Sequence, residues 1–106
     1  MIKQLSPTQL AARLQQPNPP VMIDVREAWE HGIAHIPDVQ LHVLNDIATW
    51  AKTLKKNDAY VLVCHHGGRS YTACQLMQRM GFTDVSNLDL GTDGWALQVN
   101  PDMQRY

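Results

Sequence analysis

The chain has 106 residues, 44% of them hydrophobic and 18% charged, with a formal net charge of -1 at pH 7. That length suits one core and is short for two, and the balance excludes disordered and fibrous classes. The nine Lys and Arg are scattered, with Lys55-Lys56 the one adjacent pair, which excludes a nucleic-acid footprint, and no apolar run approaches the ~20 residues that span a bilayer.

The first residues, Met1-Ile2-Lys3-Gln4-Leu5-Ser6-Pro7, lack the apolar segment of a secretory signal, so a cytoplasmic location is the default expectation. Residues 2 to 5 suit a short strand. Ser6 then stands as a helix cap with Pro7 at the first helical position, and Leu10, Ala11 and Leu14 extend the helix to about Gln15. Pro17-Asn18-Pro19-Pro20 stops it. Val21-Met22-Ile23-Asp24-Val25 is a β-branched apolar run, predicted to be a buried parallel strand. Arg26 to His31 suits a single helical turn closed by Gly32, and His35 to Pro37 is extended because the residue before proline avoids the helical region. Leu41 to Leu44 suits a short edge strand or a cover over the core.

Asn45-Asp46 is predicted to cap a helix in which Ile47, Trp50, Ala51 and Leu54 form the apolar stripe, ending at Lys55-Lys56-Asn57-Asp58. Tyr60 to Val63 is the next strand. Ala73, Leu76, Met77 and Met80 predict a helix that Gly81 stops. Val85 and Leu88 to Leu90 are the next strand residues, Gly91-Thr92-Asp93-Gly94 is a turn, and Trp95 begins a last short helix. Strands alternating with helices predict an α/β fold, a central, mostly parallel sheet with helices on both faces, in a single domain over residues 1–106.

The chemistry concentrates between Cys64 and Ser70, where a strand passes through a two-glycine loop into a helix. A cysteine there sits where open α/β sheets place ligands, facing loop amides and a helix N-terminus that favour negative charge. A thiol so placed is expected to ionise easily and act as a nucleophile, with Arg69 as a fixed cation beside it. Four residues separate Cys64 from Arg69, and Gly67 and Gly68 let successive amides turn inward around whatever lies above the sulfur. Cys64 and Cys74 are ten positions apart, too far along one loop-helix unit for a disulfide, so free thiols are expected. His31, His35 and His42 do not converge with either cysteine at metal-ligand spacing, so no metal site is expected.

Cys64-His65-His66-Gly67-Gly68-Arg69-Ser70 resembles the active-site loop of the rhodaneses, the thiosulfate and persulfide sulfurtransferases. Ile23-Asp24-Val25-Arg26-Glu27 with Trp29-Glu30 is similar to that family's first signature, and His35-Ile36-Pro37 to its next element. Gly91-Thr92-Asp93-Gly94-Trp95 matches its last signature in part, and Asp38-Val39 stands where a Gly-Ala pair is usual. The resemblance implies a Cys64 persulfide that takes a sulfane sulfur from a small anionic donor or a protein persulfide and passes it to cyanide, a thiol or a protein. Phosphatases and arsenate reductases of the same fold carry one more residue between Cys and Arg, so the shorter loop here favours sulfur. A binding module without catalysis, or a relay between proteins, are the other readings.

Under this resemblance His65, His66, Gly67, Gly68, Arg69 and Ser70 are the substrate-binding set. Asp24 and Arg26 are read as a supporting ion pair that orders neighbouring loops. His65 and His66 are read first as loop side chains facing water and second as cations at the mouth below about pH 6.5. Ser70 is read first as a helix-start residue and second as a contact to the bound sulfur. Cys74 is read as packing rather than a resolving thiol, and Trp29, Trp50 and Trp95 as core or rim.

Overall fold

The computed structural model of the chain describes residues 2–106. Strands β1 (Lys3–Leu5), β2 (Val21–Asp24), β3 (Gln40–Leu41), β4 (Ala59–Val63) and β5 (Asp84–Leu88) form one sheet in the order β1-β5-β4-β2-β3, every pair parallel. The helices are α1 (Pro7–Leu14), α2 (Ala28–Ile33), α3 (Ile47–Trp50), α4 (Gly68–Arg79) and α5 (Gly91–Gln98). None is long and apolar enough to cross a membrane.

The central strand β4 is buried from Tyr60 to Val63 because both faces of the sheet are covered. Its side chains alternate between two cores. Tyr60 and Leu62 point to the side of Trp50 in α3 and Ala73 and Met77 in α4, whereas Val61 and Val63 point to Leu10 in α1 and Trp95 and Ala96 in α5. Cys64 continues the first of these rows and packs in the same cluster, so its side chain faces α4. The strand's period thus aims the sulfur.

Local sequence accounts for α1. The Ser6 hydroxyl accepts from the Gln9 amide at 3.1 Å while the Gln9 side chain accepts from the Ser6 amide at 2.8 Å, a reciprocal cap with Pro7 at the helix start. Other boundaries depart from the sequence reading. Gly32 lies inside α2 instead of closing it. The predicted helix after Asn45-Asp46 is a broken one: 3-10 turns at Leu44–Asp46 and Ala51–Thr53 flank the four residues of α3, and Asp46 makes no side-chain cap. β5 begins at Asp84 and ends at Leu88, and Leu90, at φ 66, caps α5, which starts at Gly91 where a turn was expected. These elements follow contacts from elsewhere in the chain more than their own propensity.

Sheet order places the site. After β2 the chain moves outward to β3, whereas after β4 it moves the other way to β5. Between β2 and β4 the winding reverses, and open α/β sheets leave a crevice beyond the carboxyl ends of such strands. Asp24 pairs in register with Val63, and Asn87 with Leu62, so three neighbouring strands deliver side chains to that edge.

Candidate active site

Cys64 follows the last residue of β4 and is 1% exposed. Its sulfur accepts the Gly67 amide at 3.1 Å and lies 3.3 Å from Ser70 Oγ, whose single hydroxyl proton is shared between the sulfur and the nearer Asn87 side-chain oxygen. Donors converging on a sulfur suit its anionic form, and the start of the 12-residue helix α4 adds its dipole. Gly67 has φ 104, a conformation that side chains avoid, which explains glycine at the tip of the loop. Gly68 is already the first residue of α4 and has no such requirement.

The loop rests on its neighbours. From β5, the Asn87 side-chain amide donates to the Gly67 carbonyl at 3.0 Å and to Gln4 at 3.0 Å, while its oxygen accepts from Ser70. From α5, the Thr92 amide donates to the Cys64 carbonyl at 2.8 Å and the Asp93 amide to the His65 carbonyl at 3.1 Å. That approach requires Gly91, since a Cβ there would lie 2.3 Å from the Cys64 carbonyl oxygen.

Arg69 turns sideways to Glu30 on α2, at 2.6 and 2.8 Å through both guanidinium nitrogens. The hydrogen bonds from Arg69 hold the Glu30 carboxyl down at about 2, against the cost of its burial, and the same pair raises the guanidinium. Asp24 and Arg26 form a buried ion pair, at 2.9 and 2.8 Å, and His31 on α2 lies 3.0 Å from Asp24. The Arg69–Glu30 ion pair therefore ties α2 to α4, and the His31–Asp24 contact ties it to the end of β2. Burial of Arg26 disfavours its charge, but Asp24 and Tyr106 outweigh it and raise its pKa.

The two loop histidines part company. His66 is 69% exposed and 3.8 Å from Asp93. His65 is stacked between His66 and Tyr106, and burial, with the His66 charge second, lowers its pKa. The reading of water-facing side chains therefore fits His66 and not the stacked His65, whose lowered pKa moves its cationic form to lower pH than the second reading gives. Burial pushes the Cys74 thiol up to about 12, and both cysteines are free. Trp50 and Trp95 are buried, whereas Trp29 is an exposed rim residue.

His65, His66 and Asp93 each bring a ligand atom within 4.8 Å of the others. Arg105 already donates to both oxygens of Asp93, at 2.7 and 3.3 Å, so a cation there would first have to displace a guanidinium. A cavity of about 560 Å³ lies elsewhere, by α1, α5 and the start of β2, and shares no residue with the Cys64–Ser70 loop.

The sequence reading assigned no role to Glu30, Asn87 or Tyr106. For Glu30 a signal existed in the Trp29-Glu30 pair already quoted. For Asn87 the sequence carried no such signal, since β5 reads Asp-Val-Ser-Asn-Leu; its burial at 2% exposure is what marks a polar side chain with a partner.

A family model described as the rhodanese-like domain matches residues 6–98. The chain belongs to the rhodanese-like domain family. Among curated relatives, it is 34% identical to the thiosulfate sulfurtransferase GlpE of Pseudomonas savastanoi pv. phaseolicola, over 88% of this chain and 86% of that protein. It is 28% identical to a sulfurtransferase of Allochromatium vinosum, over 91% of this chain and 90% of that one. Other relatives are longer proteins, of which the chain spans 26 to 40% of the length. The rhodanese-like domain protein of Staphylococcus aureus superposes with a TM-score of 0.85 at 24% identity, over 99% of both chains. The rhodanese-like fold, expected from the loop and its flanking motifs, is thereby shown.

Proposed function

We propose that this rhodanese-like domain is a sulfurtransferase, moving a sulfane sulfur from thiosulfate or a persulfide donor to a thiophilic acceptor through a persulfide on Cys64. The observation that carries the reading is the buried Cys64 sulfur, with the Gly67 amide aimed at it from 3.1 Å and Ser70 Oγ 3.3 Å away. The Cys64 thiolate attacks the outer sulfur of thiosulfate, the sulfur–sulfur bond of the donor breaks, and its electron pair leaves on sulfite. The terminal persulfide sulfur carries the negative charge among loop donors and the α4 N-terminus. Cyanide or a thiol then attacks that sulfur, and Cys64 departs as thiolate.

Roles follow from position. Cys64 is the nucleophile, Gly67 donates to sulfur, Ser70 links the sulfur to Asn87 through its single shared proton, and Gly68 starts the helix whose dipole favours the anion. Arg69 receives the donor's charge once it leaves Glu30, with a charge-assisted contact of about 1.5 to 3 kcal/mol. His65 and His66 wall the mouth, and Asp24 with Arg26 supports it. No metal or organic cofactor enters the proposal, and two free thiols suit a reducing, cytoplasmic setting.

One observation favours a variant in which a protein persulfide is the donor: the guanidinium that would meet a small anion is engaged by Glu30. Incubation with thiosulfate should add one sulfur to the intact mass, and cyanide should remove it as thiocyanate. Loading from a persulfide but not from thiosulfate selects the relay. Equal behaviour of wild type and Cys64→Ser, or hydrolysis of an aryl phosphate through Cys64, would defeat the proposal.

A further inference from the structure

Residues 99–106 lie beyond those matched by the family model, yet they return to the site. Arg105 ties this segment to Asp93 on α5, and Tyr106 reaches the mouth of the catalytic loop. The phenol uses both of its hydrogen-bonding capacities, donating to Glu30 Oε2 at 2.7 Å and accepting from Arg26 Nη1 at 3.0 Å. Its ring stacks on His65 at 3.9 Å and 11°, and meets Trp29 edge-on at 6.0 Å.

The Glu30 carboxylate serves several donors. Oε1 accepts from Arg69 at 2.6 Å and from the Glu27 amide at 3.1 Å, and Oε2 accepts from Arg69 at 2.8 Å as well as from Tyr106. An anionic sulfur donor that engages Arg69 must draw the guanidinium away. Glu30, 4% exposed, would then hold a buried charge. A buried carboxylate is costly in proportion to the donors it lacks. Without Tyr106 it would keep one backbone amide, and with Tyr106 it keeps a hydroxyl as well. The phenol also competes with Arg69 for the same oxygen, so both effects ease release.

We propose that Tyr106 is a positioning residue that sets the affinity for anionic sulfur donors, by holding Glu30 when Arg69 turns from it to the donor. This rests on the sulfur-transfer reading above, and the test separates the two. Thiosulfate binding to Cys64→Ser protein, measured by titration calorimetry, isolates capture from chemistry. Tyr106→Phe keeps the ring and removes the hydroxyl, and on this background the thiosulfate Kd should rise about fivefold, the amount by which a hydrogen bond already present in the free protein strengthens when Arg69 no longer shares its acceptor. With Cys64 present, KM for thiosulfate should rise by a similar factor while kcat holds. Glu30→Gln removes the charge that Tyr106 attends, so in that background Tyr106→Phe should change Kd by less than about twofold. A simple packing role would give the same effect with and without the Glu30 charge. Unchanged Kd in Tyr106→Phe, an equal effect in both backgrounds, or no thiosulfate binding to the Cys64→Ser protein overturns the proposal. If wild type gains no sulfur on Cys64 from any donor, the sulfur-transfer reading fails, and the calorimetric comparison still decides the role of Tyr106.

Discussion

Glu30→Gln should make the protein less stable at neutral pH and remove one component of its acid sensitivity. The Glu30 carboxyl sits at about 2 against an ordinary 4.5, chiefly because Arg69 donates to it through two nitrogens. At about 1.4 kcal/mol per pH unit, that difference corresponds to ~3 kcal/mol. The Arg69 side chain is 40% exposed, so solvent screens the attraction, and about 2 kcal/mol is the expected contribution. The folded-state value is depressed, so the folded protein binds fewer protons than the unfolded chain across the interval. The stabilisation is therefore present above 4.5 and lost as pH falls through about 2. Urea unfolding followed by circular dichroism between pH 7 and pH 2 would measure it in wild type and variant. Their stabilities should differ by about 2 kcal/mol at pH 7 and converge near pH 2. The remaining acidic groups are common to both proteins and cancel in the comparison. A gap of the same size at both ends would mean that Glu30 acts through packing or neutral hydrogen bonds, and the ion-pair argument would be refuted.

Ser70→Ala removes the hydroxyl that links the sulfur to Asn87 and should slow loading from thiosulfate about tenfold in single-turnover mass measurements. A rate within twofold of wild type would remove Ser70 from the mechanism. Gly91→Ala places a Cβ 2.3 Å from the Cys64 carbonyl oxygen at φ +59, so it should cost about 3 kcal/mol and lower the melting temperature. Loading should fall with it, and a variant that melts like wild type would contradict the close approach. Asn87→Leu leaves the Gly67 carbonyl without its side-chain donor and should destabilise by about 2 kcal/mol in urea unfolding. Cys74→Ala should retain sulfur loading and cost about 1 to 2 kcal/mol as a lost buried group. Native Cys74, with its thiol near 12, should resist alkylation at pH 8 until the chain is unfolded, as peptide mapping would reveal.

What was legible in the sequence was mostly local. Alternating helix and strand patterns gave the parallel sheet, and the apolar run into Cys64 put the sulfur at a strand end because period-two burial and strand length are fixed by nearest neighbours. The Ser6-Pro7 start declared itself for the same reason. The partners of the loop lie far along the chain. Glu30 meets Arg69, and Asn87 meets Gly67, across separations of 39 and 20 residues. Such pairs depend on which strands become neighbours, and local spacing carries no record of that. The same limit applies to α5. Gly91 to Gly94 has turn composition, yet amide contacts with the Cys64 and His65 carbonyls draw it into a helix start. His65 shows a third limit, since burial beside Tyr106 lowers its pKa without any change in its neighbours in sequence.

The docking of α5 has a consequence for the electrical face of the loop. A trans peptide unit is rigid and carries its carbonyl and its N–H on opposite sides. Once the Cys64 and His65 carbonyls are committed to the α5 amides, the N–H groups of His65 and His66 must point away from α5. The orientation of two successive dipoles beside the sulfur is thus decided by a helix that contacts the loop through the loop's carbonyls. Tilting α5 by a fraction of an ångström would re-aim those dipoles, so the polarity of the loop can be tuned through the packing of Trp95 and Ala96 against Leu10, far from the reacting atoms.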